Sequence, residues 1–154
     1  MGEASILIVD DDPVVRRMLQ LSFESEGFDV LTAADGIEGL EAMRKSKPGV
    51  VVLELKGPLQ MGVECKQLEL AFDELLREKQ TRVVLDFTGI TKFDSGGLGK
   101  VVNCFSRLKK AGGAMRLAGV QGMIDNVLKI TLVDRLVKVY PTALEASENF
   151  TDAS

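Results

Sequence analysis

Histidine is absent from the 154-residue chain. Its absence removes a Ser-His-Asp or Cys-His catalytic group and any histidine-ligated metal. It also means that the chain cannot itself carry phosphate on a histidine. Cysteine is scarce: Cys65 and Cys104 are the only two, and both fall in segments that read as helices. Buried free thiols are the expectation for them, because an intracellular chain rarely holds a disulfide. Long apolar runs are missing as well. None approaches the ~20 residues of a membrane span, and the N-terminus lacks the layout of a signal peptide. There is no excess of basic charge: the net charge of −4 argues against a nucleic-acid footprint. Neither repeats nor low-complexity stretches occur. No nucleophile, base and orienting group stand together, so catalysis is not expected. These absences lead to a cytoplasmic chain that binds neither membrane nor nucleic acid.

What is present is a core. Hydrophobic residues make up 45% of the chain, enough to exclude general disorder. Apolar runs and helical stripes alternate from end to end. Ile6 to Val9, Asp29 to Thr32, Val50 to Leu55, Arg82 to Phe87, Met115 to Ala118 and Val137 to Tyr140 read as strands. Helices are expected after Asp12-Pro13 with Val15, Met18, Leu19 and Phe23 inward, over Ile37–Lys45, and over Val63–Lys79. Further helices are expected over Ser95–Lys110, over Met123–Ile130, and from Pro141 to about Glu148, followed by a frayed tail over Thr151–Ser154. Gly57-Pro58 should close the third strand. Such alternation predicts an α/β fold: three layers, with a mostly parallel six-stranded sheet and helices on both faces. Functional residues then belong at the carboxyl ends of the strands. Asp10 to Asp12, Glu54 to Pro58 and Thr88 to Ser95 fall there.

Ile6-Leu7-Ile8-Val9-Asp10-Asp11-Asp12-Pro13, the helix with Arg16-Arg17-Met18-Leu19, Ala33-Ala34-Asp35-Gly36, and Lys47-Pro48 before an apolar strand form one set of motifs. Residues 6 to 58 thereby resemble the front half of a bacterial response-regulator receiver, a flavodoxin-like fold. The resemblance implies Mg²⁺ at Asp10 and Asp11, with Glu54 where that family carries its acceptor aspartate. Carboxylates are what a hard cation requires. Glu54 has one more methylene than aspartate, so acceptor chemistry is not expected there. Its charge would either imitate a phosphorylated state or do nothing. Pro58 and Gly62 keep the family spacing, Thr88 falls near the family's switch hydroxyl, and the family's switch lysine has no match.

A second set of motifs starts at Val51-Val52-Leu53-Glu54-Leu55-Lys56-Gly57. It continues through Arg82 to Ile90, Phe93-Asp94-Ser95-Gly96-Gly97-Leu98-Gly99, Ala111 to Val120, Val127 to Asp134, and a closing strand with an Ala-rich helix. From about residue 50 the chain resembles a STAS domain, the fold of anti-sigma factor antagonists. The usual first STAS strand is missing and the receiver-like half stands in its place. We therefore expect a chimera, natural or engineered, joined near Lys47 to Gly62 in one continuous sheet. It would be a single compact domain over residues 1–154, with a receiver-like β-α-β-α segment over 1–49 and a STAS-like segment over 50–154.

The STAS resemblance implies a non-enzymatic, phospho-regulated interaction module. The unphosphorylated form would bind an anti-sigma factor or serine kinase, and phosphorylation at Ser95 would release it. Asp94, Gly96, Gly97, Leu98 and Thr88 would line the partner surface, with the glycines keeping it flat. Ser95 would sit at a helix N-terminus, where backbone N–H groups and the helix dipole suit a phosphate, and would also serve as N-cap. Asp94 beside it would repel the added charge. Two other readings stand beside this one: a degenerate receiver with an Mg²⁺ pocket but no acceptor aspartate, and a fold chimera that retains no function. A monomer or weak dimer is expected, with no cofactor beyond Mg²⁺.

Overall fold

Uninterrupted apolar runs form the centre of the sheet, because a strand covered on both faces has no polar side to show. In the computed structural model Ile6, Leu7 and Ile8 of β1 (Ser5–Val9), Val50 to Val52 of β3 (Val50–Leu59) and Val83 to Leu85 of β4 (Arg82–Phe93) are all buried. With β2 (Asp29–Ala33), β5 (Ala114–Ala118) and β6 (Lys138–Tyr140) they make one six-stranded sheet, in the order β2-β1-β3-β4-β5-β6. Every pairing among these strands is parallel. The structure describes residues 5–60, 63–80 and 82–150, without the side chains of 63–67 and 69–70. The expectations for Gly62, for the Cys65 thiol and for the tail over 151–154 lie outside the described residues.

The six α-helices among the described residues divide between the two faces of the sheet. Phe23 of α1 (Pro13–Ser25) and Ala143 and Ala146 of α6 (Ala143–Ser147) pack on Ile6, Ile8, Val52 and Val84. Opposite them, α2 (Gly36–Ser46), α3 (Val63–Arg77), α4 (Ser95–Lys110) and α5 (Gly122–Ile130) bring Met43, Phe72, Cys104 and Leu128 onto Leu7, Val51 and Leu85. The first helix starts as read: Asp12 Oδ1 accepts from the Val14 and Val15 amides, and Pro13 fills the first turn. Met18 was expected inward but is 63% exposed, because α1 turns only Phe23 fully toward the sheet and leaves Leu19 half-buried. Cys104 is buried and stands in no disulfide among the described residues, as expected.

The larger departure concerns the ends of β3 and β4. Gly57-Pro58 does not close β3. Past Leu53, where β1 stops pairing with it, β3 continues as a two-stranded parallel ribbon with β4. Lys56 pairs with Gly89, Gly57 with Ile90, Pro58 with Lys92 and Leu59 with Phe93, with register shifts between Glu54 and Lys56 and between Gly57 and Pro58. Proline survives here because β3 has no strand on its other side at this point, and a bulge absorbs the missing donor. The segment from Thr88 to Phe93, expected as a loop, is therefore strand.

Arg116, in the middle of β5, is a buried cation that pattern reading passes over. Its guanidinium donates to the carbonyls of Ala146, Glu148 and Asn149, and it stacks 4.3 Å from the Phe150 ring centroid and 5.0 Å from that of Tyr140. It thereby ties the end of α6 to the sheet. Arg116→Met should cost about 3 kcal/mol in urea denaturation and raise amide exchange over residues 143–150, since those carbonyls lose charged donors.

Candidate functional site

The connections from β1 and β3 leave the sheet in opposite directions, β1 toward β2 and β3 toward β4. A crevice opens at such a reversal, at the carboxyl ends of the strands. Asp10 and Asp11 follow β1, and Glu54 follows Leu53, the partner of Val9. Glu54 in turn pairs with Asp86 of β4. The acidic residues singled out from the sequence thus converge. They line the polar end of a cavity of about 830 Å³, whose apolar body lies under α2 and α3 with Leu40, Met43 and Leu75 in its wall.

The cation in this crevice comes from within the chain. Lys56 Nζ donates to Asp10 Oδ1 in a short contact, and to Asp11 Oδ1 at 2.9 Å. The hydrogen bond donated by Lys56 holds the Asp11 carboxyl below its ordinary value; against desolvation, the hydrogen bonds that Lys56 donates to Asp10 and Asp11 hold its ammonium above its own. Asp10 also accepts from the Asp12 amide, yet its Oδ2 has no partner although the side chain is fully buried. Among the described residues no three acidic or cysteine side chains are grouped as a metal ion requires. As the site stands, Asp10 Oδ1 and Asp11 Oδ1 hold an ammonium where the receiver resemblance implied Mg²⁺.

Glu54 is changed by its surroundings. Burial, a hydrogen bond to Asp86 and the charges of Asp86 and Asp10 push its carboxyl up to about 10, against the partial pull of Lys56. A carboxyl raised that far favours its protonated form at neutral pH, which agrees with the second of the two expectations for Glu54, that its charge does nothing. Asp86 Oδ1 accepts from the Thr88 amide at 2.9 Å and from the Thr88 hydroxyl at 2.6 Å. Thr88 is tied to this crevice. It stands at the opposite end of the ribbon from Ser95 rather than beside it.

Ser95 is the first residue of α4 and is exposed. It is not the N-cap. Asp94 has that role: its backbone is extended and its Oδ1 accepts from the Gly97 amide at 2.9 Å. The Ser95 hydroxyl therefore has no capping duty, at a terminus where free N–H groups and the helix dipole favour a phosphate. Gly97 departs from expectation in another way. It is buried, and a Cβ built there would lie 2.2 Å from the Leu59 carbonyl oxygen. It lets α4 pack on the ribbon and adds nothing to an exposed flat surface. Gly99, with open space around it, and half-buried Leu98 remain at the rim beside Ser95.

Comparison with known proteins fits both halves of this description. The STAS domain family model matches residues 41–146, so the chain belongs to the STAS family; the match begins inside α2, ahead of the boundary near residue 50. A Thermotoga neapolitana protein, provisionally named an anti-sigma factor antagonist, is 35% identical over 77 residues, covering 50% of this chain and 68% of that one. The crystal structure of the Thermotoga maritima protein provisionally named likewise aligns with a TM-score of 0.62 at 29% identity, over 66% of this chain and 87% of the other. The alkaline phosphatase synthesis transcriptional regulatory protein PhoP of Bacillus subtilis is 44% identical over 64 residues, 41% of this chain. The chain spans only 27% of that regulator's length. A CheY-like response-regulator receiver domain from Methanospirillum hungatei shares the fold, with a TM-score of 0.50 at 22% identity over 93% of this chain and 94% of the other. Among the described residues no helix is long and apolar enough to cross a membrane.

Proposed function

We propose that this chain is a non-enzymatic protein-interaction module of the anti-sigma factor antagonist type. It binds an anti-sigma factor or serine-kinase partner while Ser95 is unmodified, and phosphorylation of Ser95 releases that partner. The observation that carries the reading is the Ser95 hydroxyl itself, exposed on the first turn of α4 with its helix already capped by Asp94. A phosphate there would add about −1.5 to −2 of charge at the partner surface. It would sit beside the Asp94 carboxylate, so repulsion opposes the complex while the helix dipole keeps the fold intact. The names borne by the Thermotoga relatives support the same reading.

The test is incubation with a serine-kinase anti-sigma factor and ATP, followed by mass spectrometry. One phosphate is expected on the wild type and none on Ser95→Ala; label that persists in Ser95→Ala refutes the assignment. In a binding assay with the same partner, Ser95→Asp should weaken the complex at least tenfold and Ser95→Ala should leave it near wild-type strength. Against the receiver reading we weigh the raised Glu54 carboxyl and the engagement of Asp10 and Asp11 by Lys56.

A further inference from the structure

We propose that Lys56 is a tethered counter-ion that takes the place of a divalent cation between Asp10 and Asp11, and that its removal converts the crevice into a divalent-cation site. Three observations support this. The ammonium binds one oxygen of each aspartate, the bridging position that a shared metal would need. Asp10 is fully buried and keeps a second oxygen, Oδ2, with no partner, so the site still has an unused acceptor aimed into it. Lys56 reaches the pair from the first residues of the ribbon, just past the register shift after Glu54, so strand geometry delivers it.

Competition between the two cations is unequal. A free ion must be drawn from solution and shed water to reach the carboxylates, and Mg²⁺ sheds water reluctantly. Lys56 is present at an effective concentration set by its own tether, in the millimolar range or above. A divalent ion must displace it and then leave the ammonium near a doubly charged neighbour. One negative charge of the pair is thus offset independently of the ionic composition around it. Without the ammonium, Asp10 and Asp11 are adjacent carboxylates that have lost their ion pair, with the Arg16 guanidinium reaching only the Asp10 carbonyl. Oxygens of that kind, completed by water and backbone carbonyls, are how small hard cations are usually held.

Mn²⁺ is the probe: its binding is followed by electron paramagnetic resonance of the free ion, and Mg²⁺ is added as competitor. The wild type should show no saturable site below millimolar Mn²⁺. Lys56→Met should bind at least tenfold more tightly, with release by Mg²⁺, and Asp10→Asn added to Lys56→Met should abolish the gain. In thermal unfolding, Mg²⁺ should raise the Tm of Lys56→Met and leave that of the wild type unchanged. Lys56→Gln serves if the methionine variant does not fold. Wild-type binding as tight as that of the variants would overturn the proposal, because Lys56 would then not occupy the site. So would failure of both Lys56 variants to gain a site. Neither result bears on Ser95, which is read with a protein partner.

Discussion

Wild-type stability should fall steadily as the pH is raised from 5 to 8, and Glu54→Gln should remove most of that fall. The Glu54 carboxyl titrates near 4.5 when the chain is unfolded and near 10 in the folded protein. Between those values the folded protein holds a proton that the unfolded chain has released. Each rise in pH therefore favours unfolding, by on the order of 1 kcal/mol per unit where linkage is complete. Below the lower value both states are protonated and the dependence vanishes. Glutamine has the same shape, can still donate to Asp86, and carries no charge to be forced into a buried place. It should stabilise the protein by a few kcal/mol at pH 8 and change little at pH 4. Urea denaturation at several pH values measures both curves. The readout is clean because the chain has no histidine to titrate in the same interval. A slope that survives in Glu54→Gln would show that another group carries it.

Gly97→Ala should cost about 2–3 kcal/mol, against the usual gain for replacing a helical glycine. An added Cβ would lie 2.2 Å from the Leu59 carbonyl oxygen and 3.2 Å from the Phe93 ring, so backbone must move and not merely a flexible side chain. Gly99→Ala, on the same helix with nothing within 4 Å, should be neutral or stabilising by up to ~1 kcal/mol. The pair separates packing from propensity. Denaturation midpoints report stability, and phosphorylation of Ser95 in the two variants reports whether α4 must sit on the ribbon to present its serine. Equal stabilities would refute the close approach.

Most of the fold was legible because its signals are local. Apolar runs such as Ile6 to Val9 and Val83 to Leu85 can only be buried strands, and Asp12-Pro13 carries the start of its helix in adjacent residues. The limits of Ser95–Lys110 could be read because its apolar stripe is clean and glycines follow it at 112 and 113. What escaped depends on partners far along the chain. Gly57-Pro58 reads as a stop unless one knows that β3 has lost its neighbour on one side and needs no donor there. Arg116 looks like an interruption in an apolar strand, because its acceptors lie about thirty residues on.

At the candidate site the acidic residues were legible and their state was not. Asp10, Asp11 and Glu54 were found by position. Whether Glu54 is ionised depends on how deep the register with Asp86 places it, which no local pattern encodes. Lys56 is not marked by the receiver pattern, whose lysine belongs after a later strand, while the one that fills the crevice is two residues from Glu54 itself. The same shortfall made Ser95 look like its own cap and Gly97 look like exposed surface.

The ribbon beyond Leu53 also bears on self-association. Among the described residues no strand lies along its outer side, and open strand edges are where copies of a protein join into fibres. The residues on this edge oppose such joining. Lys56 places charge there, Gly57 turns the backbone to a φ of 71°, and Pro58 offers no amide to a neighbour. The pair of residues that seemed to end the strand instead lets it run on uncovered, shielded from edge-to-edge contact with its own kind while it holds out the helix that bears Ser95.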